Sequence, residues 1–153
     1  MKRAIQLFLI ITVILLASQT GNAQCKTFAK KVCMKQLIPY VHDGIYNATI
    51  LSEGETAELF KTFYSGQEYR IVVCGDEELP VITFQLLDAQ RNILFDSKEH
   101  NNTNYFDFKL EASQQLIIIL EVQTTEELSE RIPNGCVAVM VGFMNVEDEF
   151  ITD

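Results

Sequence analysis

The sequence predicts an all-β fold, a jelly-roll-like antiparallel β-sandwich of about eight strands with one short helix near the N-terminus. Short apolar segments with alternating polarity follow one another from Gly44 to Phe143, and turn-prone residues separate them every several positions. The gaps between these segments leave no room for the helical crossovers of ten or more residues that a parallel sheet needs. These observations together favour an antiparallel arrangement.

The first 23 residues have the pattern of a secretory signal peptide. Lys2 and Arg3 precede an apolar stretch, residues 4–17, that is shorter than the roughly 20 residues a membrane-spanning helix needs. Gly21 and Ala23 lie three and one positions before a cleavage site of the usual kind. We therefore expect residues 1–23 to be removed and the protein to be secreted or periplasmic.

Gln24 distinguishes this signal from that of a lipoprotein. Lipoprotein signals have a small residue directly before the modified cysteine, whereas Gln24 precedes Cys25 here. The signal segment carries two basic and no acidic residues, so its removal changes the formal charge from −9 to −11. An acidic surface repels phosphate backbones and anionic lipid, so we expect no nucleic-acid partner and no electrostatic docking on a membrane surface. Because the apolar stretch is short and is removed with the signal peptide, we also expect no membrane span after cleavage.

Four cysteines remain after cleavage: Cys25, Cys33, Cys74 and Cys136. An even number in an exported chain predicts two disulfides. The intervening lengths of 7, 40 and 61 residues differ from the paired short spacings of zinc sites. We therefore expect no metal bound by these thiols.

The segment "CKTFAKKVCMKQL" is predicted to form a short amphipathic helix that ends near Pro39. Its apolar face contains Phe28, Ala29, Val32 and Cys33, and three lysines lie largely opposite. Eight residues of helix span about 12 Å, whereas disulfide-bonded Cα atoms lie roughly 4.4 to 6.8 Å apart. An unbroken helix therefore prevents pairing of its two cysteines with each other.

Strand parity suggests where the helix lies. Cys74 faces away from the bulky set Tyr69, Ile71 and Val73, and Cys136 shares a face with the small or flexible residues Ala138, Met140 and Gly142. We hypothesise that the helix covers this outer face and is joined to it by both disulfides. The alternative, Cys25–Cys33 with Cys74–Cys136, applies if the segment is extended.

The strand predictions follow the chain in order. "GIYNATIL" leads to the turn "SEGE", "AELFKTFY" and "EYRIVVC" form a hairpin over "SGQ", and "VITFQLLD" and "NILFD" form another over "AQR". "NYFDFKL" alternates as a half-buried strand, "QQLIIILEV" reads as a strand covered on both faces, and "GCVAVMVGF" closes the fold. Residues 24–43 are then the helix and linker, 44–145 the sandwich domain and 146–153 an acidic tail.

The region from Ser52 to Phe143 resembles the small β-sandwich domains attached to secreted bacterial proteases, the pre-peptidase C-terminal type. The resemblance is carried by "GETAELFKTFYSGQEYRIVVCG", by "VITFQLLDAQRNILFD" and by a late strand ending in "VGF". The mature chain is also similar to small exported bacterial proteins of unassigned activity. The resemblance implies a jelly-roll-like fold and an accessory or binding role, without catalytic residues.

Candidate catalytic residues are few. His42 in "HDG" and His100 in "SKEHNNTN" do not adjoin a nucleophile elbow, and both are interpreted as solvated loop residues. The acidic run Asp76, Glu77 and Glu78 follows a strand and is interpreted as a solvated loop. We therefore predict no catalytic residue and no enzymatic activity.

Binding candidates are concentrated in the second half of the chain. Asp88, Gln90 and Asn92 alternate in a hairpin turn, and Asp96, Glu99 and Asp107 could approach the same rim as oxygen ligands of Ca²⁺. The glycine and terminal glutamate of an EF-hand loop are absent, so an ordinary turn is favoured and no cofactor is expected, with Ca²⁺ as the open alternative.

The aromatic segment "TFYSGQEY" offers a possible platform for sugar rings. Phe63 and Tyr69 are interpreted as core residues by their alternation, which leaves Tyr64 as the exposed member. The weak binding candidates are thus Asp88, Asn92, Asp96 and Tyr64.

The functional prediction is a non-catalytic, disulfide-stabilised binding or accessory protein that recognises a protein or glycan at the cell envelope or outside the cell. Two alternatives from other classes remain open. One is a small secreted hydrolase or Ca²⁺-dependent enzyme, and the other is a secreted enzyme inhibitor.

Overall fold

The computed structural model describes residues 20–125 and 131–145, which form two antiparallel sheets with a helix outside them. Helix α1 spans Thr20–Val32, and 3-10 turns follow at Met34–Leu37 and Ser97–His100. The strands in these ranges are β1 Val41–His42, β2 Asn47–Ser52, β3 Thr56–Phe63, β4 Gln67–Gly75, β5 Ile82–Leu87, β6 Ile93–Asp96, β7 Tyr105–Lys109, β8 Gln114–Val122 and β9 Asn134–Asn145. The predicted antiparallel β-sandwich with a short N-terminal helix is confirmed.

Parts of two predicted segments fall outside the described ranges. Of the predicted signal segment, only residues 20–23 are described, and they form the first turn of α1. The predicted acidic tail, 146–153, lies wholly outside the described residues. None of the helices that the structure describes has the length and apolarity needed to cross a membrane.

The two sheets have five and four strands. In the five-stranded sheet, β1 and β2 both pair with one edge of β9, and β4 and then β7 follow on its other side. The four-stranded sheet has the order β3-β8-β5-β6. All of these pairs are antiparallel, and the core lies between the two sheets.

The core is built from the inward-facing residues of both sheets. Val137, Val139 and Val141 of β9 face Leu116, Ile118 and Leu120 of β8 across it. The predicted alternation of β7 is confirmed, because Phe106 and Phe108 pack against this cluster. A cluster of aromatic rings fills one end of the core: Phe63, Tyr69, Phe95, Phe106 and Phe108.

The connection between β3 and β4 crosses from one sheet to the other, so the predicted hairpin over "SGQ" is wrong. Phe63 ends β3, Tyr69 begins the buried part of β4, and their rings meet edge to face with centroids 4.9 Å apart. The backbone N–H of Tyr64 donates to the Tyr69 hydroxyl at 2.9 Å. Both rings fill the same interior from opposite layers, whereas a hairpin would place both strands in one sheet. The other predicted hairpin, β5 with β6, is confirmed.

Helix α1 covers the outer face of the five-stranded sheet, as hypothesised. Ala29, Cys33 and Leu37 are buried against a patch formed by Val72, Cys74, Ala138 and Met140. Small side chains on this face let the helix approach the strands closely. The two outer faces of the sandwich therefore differ, since this one is covered within the same chain.

Gly142 of β9 is required where the chain leaves the helix. A Cβ added at this position would lie 2.7 Å from the Cβ of Tyr40 and 3.1 Å from Cδ2 of Leu37. Carbon atoms at rest lie about 3.5 to 4.0 Å apart. The segment after the 3-10 turn thus lies directly on the backbone of β9.

Both disulfides join the helix to this sheet. Cys25 is paired with Cys136 and Cys33 with Cys74, at Cα separations of 5.1 and 5.9 Å. The stapled-helix hypothesis is confirmed, and the alternative pairing of Cys25 with Cys33 is wrong. The bridges connect Cys25 of α1 to β9 and Cys33, the residue directly after α1, to β4; β9 and β4 are the two adjacent central strands.

We call residues 20–42, from the start of α1 to the end of β1, the covering segment, and Arg70 of β4 holds its C-terminal part. Its guanidinium makes two hydrogen bonds to the carboxylate of Asp107, at 2.7 and 2.6 Å, which raise the pKa of Arg70. It also donates to the backbone carbonyl oxygens of Gln36 and Ile38, at 3.3 and 3.0 Å. The guanidinium carbon lies 4.6 Å from the ring centroid of Tyr40, a cation–π distance.

The first prediction concerns the contact at Gly142. We expect Gly142→Val to lower the free energy of unfolding by about 2 kcal/mol, because overpacking a close contact costs roughly 1 to 3 kcal/mol. Urea denaturation measures this. Thr62→Val on the exposed face of β3 is the control and should change stability by less than about 0.5 kcal/mol. An unchanged value for Gly142→Val would show that Leu37 and Tyr40 do not lie on β9.

The second prediction concerns the two disulfides. Replacing Cys25 and Cys136 by alanine should cost about 5 kcal/mol, and replacing Cys33 and Cys74 about 4 kcal/mol, because the first pair closes the longer loop. The sequence separations are 111 and 41 residues. Denaturation of both double variants measures the difference, and non-reducing peptide mapping checks the pairing. A recovered peptide that joins Cys25 to Cys33 would contradict the structure.

The third prediction concerns Tyr40. Its burial and the hydrogen bond from its hydroxyl to Glu68, at 2.5 Å, raise the pKa of Tyr40 above the ordinary value. The folded protein therefore holds this proton more tightly than the unfolded chain, so the stabilisation is complete below about pH 10 and is lost as the pH rises further.

Tyr40→Phe should accordingly be less stable than the wild type at pH 7, and the difference should shrink above about pH 10. Chemical denaturation at a series of pH values measures this. Tyr64→Phe, which changes a side chain that is 62% exposed, is the control. A difference between Tyr40→Phe and wild type that stays constant up to pH 11 would be the contrary result.

Candidate functional site

Asp88 and Asn92, two of the predicted binding residues, close the turn between β5 and β6. The Asp88 carboxylate accepts hydrogen bonds from the backbone N–H groups of Gln90 and Asn92, at 2.9 and 2.8 Å, and from the Asn92 side chain at 2.8 Å. These bonds, that of the Asn92 side chain foremost, lower the pKa of Asp88. Both residues therefore act within the turn, as the ordinary-turn interpretation predicts.

The acidic residues predicted along one rim are held apart by separate partners. Asp96 accepts from the backbone N–H of Lys98 at 2.9 Å and from the Gln85 side chain at 2.5 Å, whereas Asp107 belongs to Arg70 on the other sheet. In the part of the chain that the structure describes, no three His, Cys, Asp or Glu side chains are grouped in a way that could hold a metal ion. The expectation that no cofactor binds, with Ca²⁺ as the open alternative, stays a prediction.

The interpretation of both histidines as solvated is wrong for His42. This residue lies in β1, only 11% of its side chain is exposed, and its Nδ1 accepts the backbone N–H of Gly44 at 3.3 Å. Its Nε2 lies 3.1 Å from the carbonyl oxygen of Ile45. The loop after β1 turns back so that its backbone contacts the imidazole ring of His42. A strand of only two residues has no sequence pattern from which this contact could be predicted. His100 is exposed, as predicted.

Asp76 and Tyr64, which the sequence also singled out, lie in the connections that follow β4 and β3. Asp76 accepts the backbone N–H of Cys136 at 2.7 Å and so ties the loop after β4 to the start of β9. This removes Asp76 from the solvated acidic run, in which Glu77 and Glu78 are exposed. Tyr64 is exposed in the crossing between the sheets, whereas Phe63 and Tyr69 are buried as predicted.

A row of four apolar side chains crosses the outer face of the four-stranded sheet. Phe60 of β3 is paired with Ile117 of β8, Ile117 with Leu87 of β5, and Leu87 with Ile93 of β6. Directly paired residues share a face. Phe60, Ile117 and Leu87 point outward, because strand neighbours of each pack in or against the core: Leu59, Leu116, Ile118 and Leu86. Ile93 pairs with Leu87 just beyond a register shift in the β5–β6 ladder and is placed on the outside by its own exposure of 58%. We call these four residues the apolar row.

The ends of the apolar row are open to solvent. Phe60 is 54% and Ile93 58% exposed, whereas Ile117 and Leu87 between them are buried. Leu94, next along β6, is 49% exposed and extends the apolar surface. Four strands at about 4.8 Å spacing give the row a length of roughly 14 Å. No described helix lies across it.

Polar pairs border the apolar row. Arg91 donates to Glu58 at 2.5 Å, and this hydrogen bond raises the pKa of Arg91. At an outward-facing position further along β8, Glu121 accepts a hydrogen bond from Lys98 at 2.7 Å, which lowers the pKa of Glu121. An apolar centre with a polar rim is the usual anatomy of a protein–protein interface.

A cleft of about 170 Å³ opens between β2 and β3, the strands that border the two sheets on one side. Leu59, Leu120, Val137 and Val139 give it apolar walls, and Asn47 and Thr49 lie at the β2 side. We call this opening the seam cleft. Beyond it, Lys61 of β3 pairs with Asp43 of the loop before β2, at 2.5 Å.

The charges of the protein are segregated between the helix and the sandwich. All 21 acidic residues lie in 43–153, together with only six basic ones. The covering segment has no acidic residue before Asp43 and carries four exposed lysines: Lys26, Lys30, Lys31 and Lys35. Among the described residues of the sandwich, 43–125 and 131–145, there are 14 acidic residues and six basic ones, so this part of the molecule is negative.

Sequence reasoning did not single out the apolar row or the seam cleft. The run "QLIIIL" was the available signal, because Ile117 and Ile119 place apolar side chains on the second face of β8. That run was interpreted as a strand covered on both faces. The structure covers its outer face only in part.

Comparisons with known proteins add little to this picture. No protein-family model matches the chain, and no curated protein matches it. The resemblance to pre-peptidase C-terminal domains thus stays a prediction. Among solved structures, the chain is similar to the Aeromonas hydrophila protein PliG, a periplasmic lysozyme inhibitor of g-type lysozyme. That similarity has a TM-score of 0.48 and 10% identity, and it covers 69% of this chain and 89% of the other.

Proposed function

We propose that this protein is an exported, non-catalytic binding protein that docks another protein on the outer face of its four-stranded sheet. The observation that carries the proposal is the apolar row, whose end residues Phe60 and Ile93 are both more than half exposed. Large apolar side chains exposed at both ends of such a row, with polar pairs beside them, are costly in water and mark an interaction site.

The contrast with the other sheet supports this reading. There, the outer face is covered by α1 and its two disulfides, so the chain itself supplies the second layer. On the four-stranded sheet, the described residues supply no such layer. A partner protein would take the corresponding position.

The charge of the sandwich indicates the chemistry of the partner. With 14 acidic and six basic residues in its described ranges, 43–125 and 131–145, the sandwich attracts basic surfaces and repels acidic ones. A basic protein surface is therefore favoured over an anionic glycan. The apolar row supplies buried contact area, and the long-range field steers the encounter.

The alternative of a small hydrolase or Ca²⁺-dependent enzyme has less support. The ring nitrogens of His42 face the backbone of its own loop, and the carboxylates of Asp88, Asp96 and Asp107 are each engaged separately. The remaining alternative, a secreted enzyme inhibitor, is a narrower form of the proposal. It applies if the bound partner is an enzyme that loses activity in the complex.

The fourth prediction tests the docking surface. The purified, disulfide-bonded chain is used to capture partners from cell-envelope extract, and a captured protein is then purified and titrated. Phe60→Ser combined with Ile93→Ser should weaken its binding at least about tenfold, since a few large apolar anchors carry most of the energy of an interface. Assaying a captured enzyme with and without the chain separates an inhibitor from other binding proteins.

Val81→Ser is the matched control, because Val81 is 54% exposed but lies away from the apolar row. It should leave the affinity within about twofold of the wild type. Urea denaturation checks that all variants are folded. Equal binding by the double variant and the wild type would show that the docking surface is elsewhere.

A further inference from the structure

We infer that the partner supplies an extended, basic strand that pairs with the free edge of β3 and places alternate side chains beside Phe60 and into the seam cleft. This inference rests on the proposed function and names how the partner is held. It follows from three features that meet at one strand: an open backbone edge, an exposed aromatic ring on one side and an apolar cleft on the other.

β3 is the longest border strand of the sandwich. It has eight residues, compared with six in β2, four in β6 and five in β7. Among the described strands, β3 pairs with β8 alone, so its other edge is open. A long open edge is a template for another strand.

The register shows which backbone groups of β3 face outward. Val122 of β8 donates its N–H to the carbonyl of Glu55 at 3.0 Å, and β3 continues in the same register from Thr56 to Phe63. Hydrogen-bonded positions alternate along an antiparallel strand. The N–H and C=O groups that point away from β8 therefore belong to Thr56, Glu58, Phe60 and Thr62.

The side chains of an added strand would alternate between two surfaces. Those on the outer face would lie beside Phe60. Those on the inner face would point at the seam cleft, whose volume of about 170 Å³ and walls of Leu59, Leu120 and Val139 suit one aliphatic or aromatic side chain. A dry cavity of similar size holds benzene.

This arrangement is a known mode of recognition, in which main-chain bonds give affinity and pockets for alternate side chains give specificity. The ion pair between Asp43 and Lys61 closes the seam beyond the cleft, so one side chain is favoured rather than a longer insertion. The net negative charge of the sandwich favours a basic strand. The same charge disfavours pairing of two copies through β3, since like charges would be brought together.

The test uses a defined probe, an octapeptide of alternating Lys and Val. Its control has the same composition with four Lys followed by four Val, so the charge is equal and the alternation is lost. Binding is followed by amide NMR shifts and by hydrogen exchange of the full disulfide-bonded chain. We expect the alternating peptide to bind at least fivefold more tightly and to slow exchange of the Glu58, Phe60 and Thr62 amides.

Two variants separate the backbone edge from the cleft. Thr62→Pro removes an outward N–H and keeps the bonds to β8, with Thr62→Ala as its matched control. Ala57→Leu fills the seam cleft, which Ala57 lines. Thr62→Pro and Ala57→Leu should each weaken binding of the peptide, and of the captured partner, about tenfold, whereas Thr62→Ala should not change it more than twofold.

The outcomes distinguish the inference from the proposed function. If Phe60→Ser with Ile93→Ser loses the partner while Thr62→Pro and Ala57→Leu bind like the wild type, docking on the sheet stands and strand pairing is overturned. Equal affinity for the two peptides also overturns strand pairing. Dimerisation of the chain through β3, seen by sedimentation and abolished by Thr62→Pro, would assign the edge to a second copy and overturn the basic-partner inference.

Discussion

The close fit between α1 and a sheet face of small residues is the constraint on which the structure depends. Disulfide-bonded Cα atoms must lie within about 7 Å of each other, and both bridges connect this helix to the sheet. Such distances are possible because Ala138 and Gly142 leave the surface of β9 low. Bulky residues there would hold the helix away, and neither pair of cysteines could meet.

The two outer faces of the sandwich differ in how their apolar side chains are covered. A sheet that is apolar on both faces must bury both. The five-stranded sheet does so with the covering helix of its own chain and with Arg70, which ties down the end of that segment. The four-stranded sheet keeps Phe60 and Ile93 exposed, and its border strand β3 pairs with β8 alone among the described strands. This asymmetry is what links the fold to a binding function.

Local pattern predicted individual strands well and their partners less well. Alternation identified the inward residues of β7 and separated Cys74 from Ile71 and Val73. It failed at the three-residue link between β3 and β4, because a tight hairpin and a crossing between sheets have the same local sequence pattern. Local pattern could not predict the candidate site either, since the apolar row joins residues of four strands that lie far apart in the chain.

The sequence by itself determined the class of fold and the number of disulfides, because these depend on periodicity and cysteine count. It favoured the position of the helix through the size of the side chains on each face, but it left two disulfide pairings open, and the tertiary structure decided between them. Only the tertiary structure decided which strands are neighbours and which edges stay open. Strand pairing is set by contacts between distant segments, and Phe60 acquires its place beside Ile117 only when β3 and β8 meet. The same pairing places Asp88 and Asn92 at the closure of the turn between β5 and β6.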